Sequence, residues 1–331
     1  MKVCIVGAGA IGGFIGTRLA AAGQARVSAL ARGATLTALR THGWRMDGAG
    51  GRLQGPVAQA SEHAAELGAH DLVVIAVKGP ALPQVAQAIG PLIGPDTVVL
   101  PAMNGVPWWF CIGVDGPAGG ALQSVDPGGA IAAAIPFDQV IGCVVHAGAA
   151  LSEPGLVQHR SGQGLIVGEP RGGASTRASR VAALLAQAGF EATASSDVRQ
   201  DIWYKLWGNM TMNPISAFTG ATLDRILADP LVRDFCAAAM GEAAAIGERI
   251  GCPIAQSAEE RQALTARLGA FKTSMLQDVE AGRPLELDAI VGAAYEIGQR
   301  LGLATPNIAA LLGLGRLFGR VHSLYPEQAP A

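Results

Sequence analysis

Val3-Cys-Ile-Val6, followed without a break by Gly7-Ala8-Gly9-Ala10-Ile11-Gly12, is the stretch on which the fold turns. An apolar run with no polar alternation reads as a strand buried on both faces. The glycines come next, and an Ala-rich periodic segment to Ala22 reads as a helix. In Gly-x-Gly-x-x-Gly the first glycine permits the tight turn, the second lets the backbone approach a pyrophosphate, and the third lets the helix pack close to the strand. The helix N-terminus adds N–H donors and the positive end of a dipole. Gly13 and Gly16 read as further glycine background. The placement after a strand and at the opening of a helix sets the motif above a glycine-tolerant packing turn. A dinucleotide phosphate is therefore expected along Gly7, Ala8, Gly9, Ala10, Ile11 and Gly12.

Outward from this stretch, strands are expected over 26–31, 71–77 and 97–100, with helices over 35–42 and 80–93, an alternation that builds a parallel sheet. The segment 44–59, with Gly48, Gly50, Gly51 and Gly55, reads as a peripheral hairpin or excursion. The segment 104–136, rich in Gly, Pro and Trp, reads as a long substrate-facing loop. Antiparallel strands over 140–146 and 155–167 are expected on the same sheet, then a helix over 176–188 and a short strand to Ala194. Beyond Asp197 strands vanish, and helical periodicity covers 197–213, 229–250, 257–282 and 286–302. The fold class is α/β: a Rossmann-type parallel-sheet domain over 1–196 binding the cofactor, then an all-α domain over 197–331 carrying substrate and catalysis. The length of 331 residues agrees with two cores.

Composition excludes several classes. Half of the residues are hydrophobic and 15% are charged, while 45 glycines and 19 prolines follow no period, so the chain is neither disordered nor collagen-like. The 24 basic and 26 acidic residues nearly cancel without a basic, aromatic-interleaved groove, so no nucleic acid is expected. Cys4, Cys111, Cys143, Cys236 and Cys252 form no CxxC pair and read as reduced thiols, with no metal site. Lys2 and the apolar run after it superficially resemble a secretory signal, but fixed glycine offsets and Arg18 argue otherwise. No stretch reaches a membrane span of about 18 residues. A cytoplasmic protein with a small-molecule partner is expected.

NAD sites place a carboxylate at the end of the second strand, yet here that strand ends Ser28-Ala-Leu-Ala-Arg32. Arg32 offers a guanidinium to a 2′-phosphate and favours NADP, the alternative being a solvated residue capping the strand. Lys78 and Asn104-Gly105 follow apolar strands, where parallel sheets bind ligands; they could equally be a surface lysine and an ordinary turn.

Lys205, Asn209 and Asn213 recur every fourth residue in Trp203-Tyr-Lys-Leu-Trp-Gly-Asn-Met-Thr-Met-Asn-Pro214 and so share one helical face. Polar groups inside an apolar, aromatic helix need partners, and a polar ligand is the simplest, although a neighbouring backbone would also serve. Pro214 is expected to kink or end this helix. Glu286 and Asp288 fall at a helix start, where an acid is also favourable through the dipole alone.

Taken together, 7–12, Ala31-Arg-Gly33 with Leu36 and Arg40, Val77-Lys78, Asn104-Gly105, Lys205-Leu-Trp-Gly-Asn209 with Asn213-Pro214, and Ser274-Met-Leu-Gln-Asp278 through Glu286-Leu-Asp288 resemble the ketopantoate reductases over nearly the whole chain. The resemblance implies reduction of 2-dehydropantoate to pantoate with NADPH, in a cleft between a Rossmann domain and an all-α domain, without a metal. It implies that Lys205 is the general acid, that Asn209, Asn213 and Ser274 bind substrate, and that Glu286 orients it. Asn104 would meet both nicotinamide and substrate, and Glu286 would also border the cofactor. The chain departs from the family after Asn104-Gly105, where Val106-Pro-Trp108-Trp109-Phe110 and a Gly-rich extension replace a short turn. An aromatic cap is one reading; two tryptophans are costly to expose, so packing on the second domain, on a partner or on a ligand is the expectation. Alternatives are another 2-oxo acid or an imine as substrate, or a non-catalytic NADP-binding sensor. The apolar composition and the tryptophan loop would suit a homodimer.

Overall fold

Val3, Cys4, Ile5 and Val6 are all at most 1% exposed, as a central strand covered on both faces requires. The structure, a computed structural model, describes residues 1–327. Two units divide the chain: Met1–Met103 with Ala130–Arg199, and Asn104–Gly129 with the residues from Gln200 onward.

In the first unit the elements are β1 (Lys2–Val6), α1 (Ala10–Ala22), β2 (Arg26–Leu30), α2 (Gly33–His42), β3 (Trp44–Gly48), β4 (Gly51–Gly55), β5 (Ala60–Ser61), α3 (Ala64–Leu67), β6 (His70–Ile75), α4 (Leu82–Ala88), β7 (Ile93–Pro101), α5 (Ala130–Ala134), β8 (Gly142–Glu153), β9 (Leu156–Gly168), α6 (Thr176–Gln187) and β10 (Glu191–Ser195). The expected parallel sheet is present in the order β5-β2-β1-β6-β7. Strand order reverses between β1 and β6, so their carboxyl ends form the switch point at which such sheets take ligands.

Contrary to the expectation of antiparallel strands added to this sheet, the later strands do not extend it. They form a second one, in which β9 pairs β8 antiparallel along its length and pairs β3 and β10 parallel at its two ends, with β4 beyond β3. The isolated bridge Val99–Val140 and the Gln139 side chain, which donates to the Gly94 and Pro95 carbonyls, link β7 to the chain leading into β8. Nor is the 44–59 hairpin peripheral, because Trp44 is 1% exposed and β3 pairs with β9.

Helix α1 explains both departures. Gly12 through Thr17 are all buried, so no face of this stretch meets water and the helix must be covered on opposite sides. Toward the parallel sheet, a Cβ on Gly12 would collide with the Gly7 carbonyl oxygen and stand 3.0 Å from Ile5. Toward the second sheet, a Cβ on Gly13 would stand 2.5 Å from Val157 and one on Gly16 2.6 Å from the Trp44 ring. Phe14 stacks on His159 at 4.7 Å, and the Arg18 guanidinium donates to the Gly189 carbonyl at 2.7 Å. Gly13 and Gly16 are therefore contact surfaces rather than glycine background.

The second unit is helical: α7 (Val198–Thr219), α8 (Leu223–Ala228), α9 (Pro230–Arg249), α10 (Ala258–Ala266), α11 (Ser274–Glu280), a π-helical turn (Asp288–Gly292), α12 (Ala293–Arg300) and α13 (Pro306–Val321). Pro214 lies inside α7 and does not end it; Ile215, Ser216 and Ala217 beyond it are buried, and that packing outweighs one missing hydrogen bond. The single helix expected over 257–282 is two. The intervening chain crosses the start of α8, where Leu223 and Asp224 N–H groups donate to the Phe271 and Gly269 carbonyls.

The segment Asn104–Gly129 packs with the helical unit, whereas a division at 196 had set it with the first. Its backbone explains why: Gln123 and Ser124 N–H groups donate to the Glu296 carboxylate at 2.9 and 2.8 Å. Arg300 donates to the carbonyls of Gly119, at 2.9 Å, and Ala121. Trp108 and Trp109 are each 1% exposed and Phe110 is fully buried, so they are core, neither a substrate-facing cap nor a dimer face.

Gly16→Val is expected to cost about 1–3 kcal/mol or more by driving a branched side chain into Trp44. Gly50→Ala, whose Cβ would meet open space, is expected to stay within about 0.5 kcal/mol of the parent. Urea unfolding of both variants checks the difference.

Candidate active site

In the first unit three strand ends bring the expected cofactor residues to one edge. Gly7 follows β1 with φ +89°, its N–H donates to the Leu30 carbonyl of β2 at 3.0 Å, and a Cβ there would lie 2.5 Å from Val77, which follows β6. Arg32 caps α2 just beyond β2, exposed and with an extended backbone. Lys78 precedes a 3₁₀ turn beyond β6.

The N-terminus of α1 has no side-chain cap and no acidic residue in its first turn. Its leading N–H groups are thus left for another acceptor. A Cβ on Gly9 would meet no atom within 4 Å, in contrast to Gly7 and Gly12, so packing does not require glycine there. Open space over uncapped N–H donors fits a phosphate approaching the backbone. With Arg32 and without a carboxylate beside it, the residues present fit a phosphorylated dinucleotide.

In the second unit α7 carries the polar face. Trp203 and Trp207, one turn apart, donate their indole N–H groups to the Ala243 and Met240 carbonyls of α9 at 3.2 and 2.8 Å. Gly247 makes room, since a Cβ there would stand 2.6 Å from the Trp203 indole nitrogen. This anchoring turns Lys205 and Asn209 to another side of the helix, and both are partly buried. Asn213 is 5% exposed.

The Lys205 Nζ donates to Asn104 Oδ1 at 2.8 Å. Asn104 is itself fixed by its neighbours. Gly105 takes φ +80°, a Cβ on it would lie 2.5 Å from the Ala289 carbonyl oxygen, and the Val106 N–H donates to that oxygen at 2.8 Å. Ala289 belongs to the π-helical turn, which follows Glu286 after one residue of helix; Glu286 is 8% exposed. The structure therefore ties Asn104, Lys205 and the turn after Glu286 into one arrangement. Ser274 is exposed at the first position of α11, just beyond the Thr273 cap.

Asp288, two residues past Glu286, has a structural partner. Its Oδ1 accepts from the Tyr325 hydroxyl at 2.6 Å. Burial pushes the Asp288 carboxyl up, against the opposing pull of Tyr325 and Arg316. Burial and this carboxylate push Tyr325 up to about 12.

Sequence reasoning passed over Gly208. A glycine inside a helix costs about 1 kcal/mol relative to alanine, and that cost was the available signal. A Cβ there would stand 2.7 Å from Arg261 Nη2, so the glycine admits a guanidinium against the helix that carries Lys205.

The family model described as Ketopantoate reductase PanE/ApbA matches residues 3–172, and that of its C terminal matches 197–318. The chain belongs to the ketopantoate reductase family. This family member is accordingly an oxidoreductase acting on a CH–OH/C=O pair. It is 44% identical to the 2-dehydropantoate 2-reductase of Mesorhizobium japonicum, over 96% of this chain and 97% of the relative. A crystal structure of a candidate ketopantoate reductase from Ralstonia solanacearum MolK2 superimposes with a TM-score of 0.93 at 56% identity, covering 98% of this chain and 99% of that one. The 2-dehydropantoate 2-reductase of Methylococcus capsulatus gives 0.84 at 28% identity, covering 98% of each chain.

The Glu296 clasp on the 104–129 segment sets a pH dependence. Burial pushes this carboxyl up, but hydrogen bonds from Ser124 and the Gln123 amide, with Arg300, more than reverse the effect, leaving it below its ordinary 4.5. A carboxyl depressed by folding stabilises fully above its ordinary value, and the contribution is lost as pH falls through the folded value. Glu296→Gln is expected to cost about 1–3 kcal/mol at neutral pH. The deficit should shrink on acidification below 4.5, as followed by urea unfolding across pH.

Proposed function

We propose that the chain reduces 2-dehydropantoate to pantoate with NADPH, by hydride transfer to the 2-oxo carbon. The observation that carries this reading is the 2.8 Å hydrogen bond from Lys205 Nζ to Asn104 Oδ1, on a turn docked against Ala289 of the π-helical turn that follows Glu286. The Mesorhizobium relative bears the name of that activity.

Gly7 through Gly12 take the pyrophosphate on backbone N–H groups, Arg32 takes the 2′-phosphate, and Lys78 adds positive charge at the same edge. NADPH, when bound, supplies the hydride. Negative charge then develops on the substrate's carbonyl oxygen. The Lys205 ammonium stabilises that charge and donates a proton from Nζ. Asn104 holds the ammonium in place through Oδ1, and Asn104 and Glu286 would border the nicotinamide. Asn209, Asn213 and Ser274 offer neutral donors to the substrate's polar groups, and Glu286 orients it. The five cysteines are all buried free thiols, which supports a reducing, cytoplasmic setting.

Purified protein given NADPH and 2-dehydropantoate is expected to consume the cofactor. Lys205→Ala should lower kcat by about 10²–10⁴-fold. Consumption only with other 2-oxo acids or imines would rename the substrate, and tight NADPH binding with no turnover on any of them would favour a sensor. Arg32→Ala is expected to weaken NADPH about tenfold or more while sparing NADH, read from KM for each cofactor. An unchanged preference would remove the 2′-phosphate from Arg32.

A further inference from the structure

We propose that Arg261 on α10 is a substrate-binding residue that takes the carboxylate of the 2-oxo acid beside Lys205. The inference rests on the 2-oxo acid reading above and adds a residue that the family motifs in this chain do not include.

The Arg261 backbone is fixed. A capping box opens α10, with Ser257 Oγ accepting from the Glu260 N–H at 3.1 Å and Glu260 accepting from the Ser257 N–H at 3.0 Å. The neighbouring Gln262 is 6% exposed and donates to the Arg233 carbonyl at 3.0 Å. The side chain is held as well. Its guanidinium lies over the Tyr204 ring, 5.1 Å from the centroid, and Tyr204 is oriented by donating its hydroxyl to Gln256 Oε1 at 2.8 Å.

What this guanidinium lacks is an anion. It forms no ion pair among the described residues. Its one hydrogen bond is the long contact of 3.4 Å from Nη1 to the Tyr204 hydroxyl, and its buried Nε has no acceptor. A partly buried cation without a counter-charge is unfavourable, and the sequence accommodates it by leaving Gly208 bare: a Cβ there would stand 2.7 Å from Nη2 and 2.8 Å from Nε. Gly208 lies one turn from Lys205, displaced by about 60° around the helix, and immediately precedes Asn209.

A 2-oxo acid suits this pair of cations because its carboxylate carbon is bonded directly to its carbonyl carbon. A group that grips the carboxylate thereby aims the carbonyl oxygen. A planar guanidinium already stacked on an aromatic ring loses little further freedom on forming two parallel hydrogen bonds to a carboxylate.

Steady-state kinetics of Arg261→Met and Arg261→Lys, with thermal unfolding of each, test the assignment. Arg261→Met is expected to raise KM for 2-dehydropantoate about tenfold to a hundredfold. Its kcat should stay within about threefold, as loss of ground-state binding requires. KM for the neutral lactone of the same oxo acid should not move, and Arg261→Lys should fall between. Calorimetry with oxalate supplies a readout that needs no turnover, and binding should weaken in the same order. Equal effects on the acid and the neutral lactone, an unchanged KM, or no oxalate binding by the parent chain would overturn the assignment. An active parent with an indifferent Arg261→Met would remove this residue and leave the reductase reading intact. An inactive parent that binds oxalate through Arg261 would do the reverse.

Discussion

At Gly16 the Trp44 ring fills the space a side chain would need, and at Gly12 the carbonyl of Gly7 does the same from another side. Helix α1 is therefore gripped between a parallel sheet and a mixed one, with glycine the residue that lets each approach. Most of the first unit depends on this grip. The parallel sheet fixes the turn at Gly7, and Gly12 seats the helix start behind it. The second sheet holds the same helix through Trp44, Val157 and His159. An uncapped helix N-terminus, costly in itself, is kept in place by packing along the rest of the helix.

The helical unit solves a comparable problem with hydrogen bonds in place of glycines. Two indoles fasten one side of α7 to α9, and the Glu296–Arg300 pair of α12 gathers the backbone of a long irregular segment. Its start, Asn104-Gly105, is pressed against the π-helical turn. That turn frees helix carbonyls from the usual register, and one of them, on Ala289, receives the Val106 N–H. The result is an amide oxygen held where a lysine on a separate helix reaches it.

How much of this was legible depended on whether the signal was local. The strand, glycine turn and helix at the N-terminus, the parallel sheet and the face shared by Lys205 and Asn209 all follow from periodicity and spacing within short windows. The second sheet was hidden because β3 and β9 meet only through pairing more than a hundred positions apart. Gly13 and Gly16 looked like background for the same reason: their partners are Val157 and a tryptophan on a hairpin. In the tryptophan loop the packing of Trp108 and Trp109 was legible from the cost of exposing them, whereas the substrate-facing reading of the segment failed because Gly- and Pro-rich sequence signals irregular backbone, not exposure, and this backbone is satisfied by Glu296 and Arg300. At Pro214 the helix end expected at 213 gave way to burial of the residues beyond it, a local penalty outweighed by packing. Gly208 carried a signal that only the position of Arg261 makes readable.

The central claim is that this scaffold delivers a hydride to the carbon beside a carboxylate. The most direct measurement is mass spectrometry of the acid formed from 2-dehydropantoate and NADPH deuterated at the transferable position. The account predicts pantoate with one deuterium on its 2-carbon. Pantoate without that label, or no reduced acid at all from an enzyme saturated with both ligands, would contradict it.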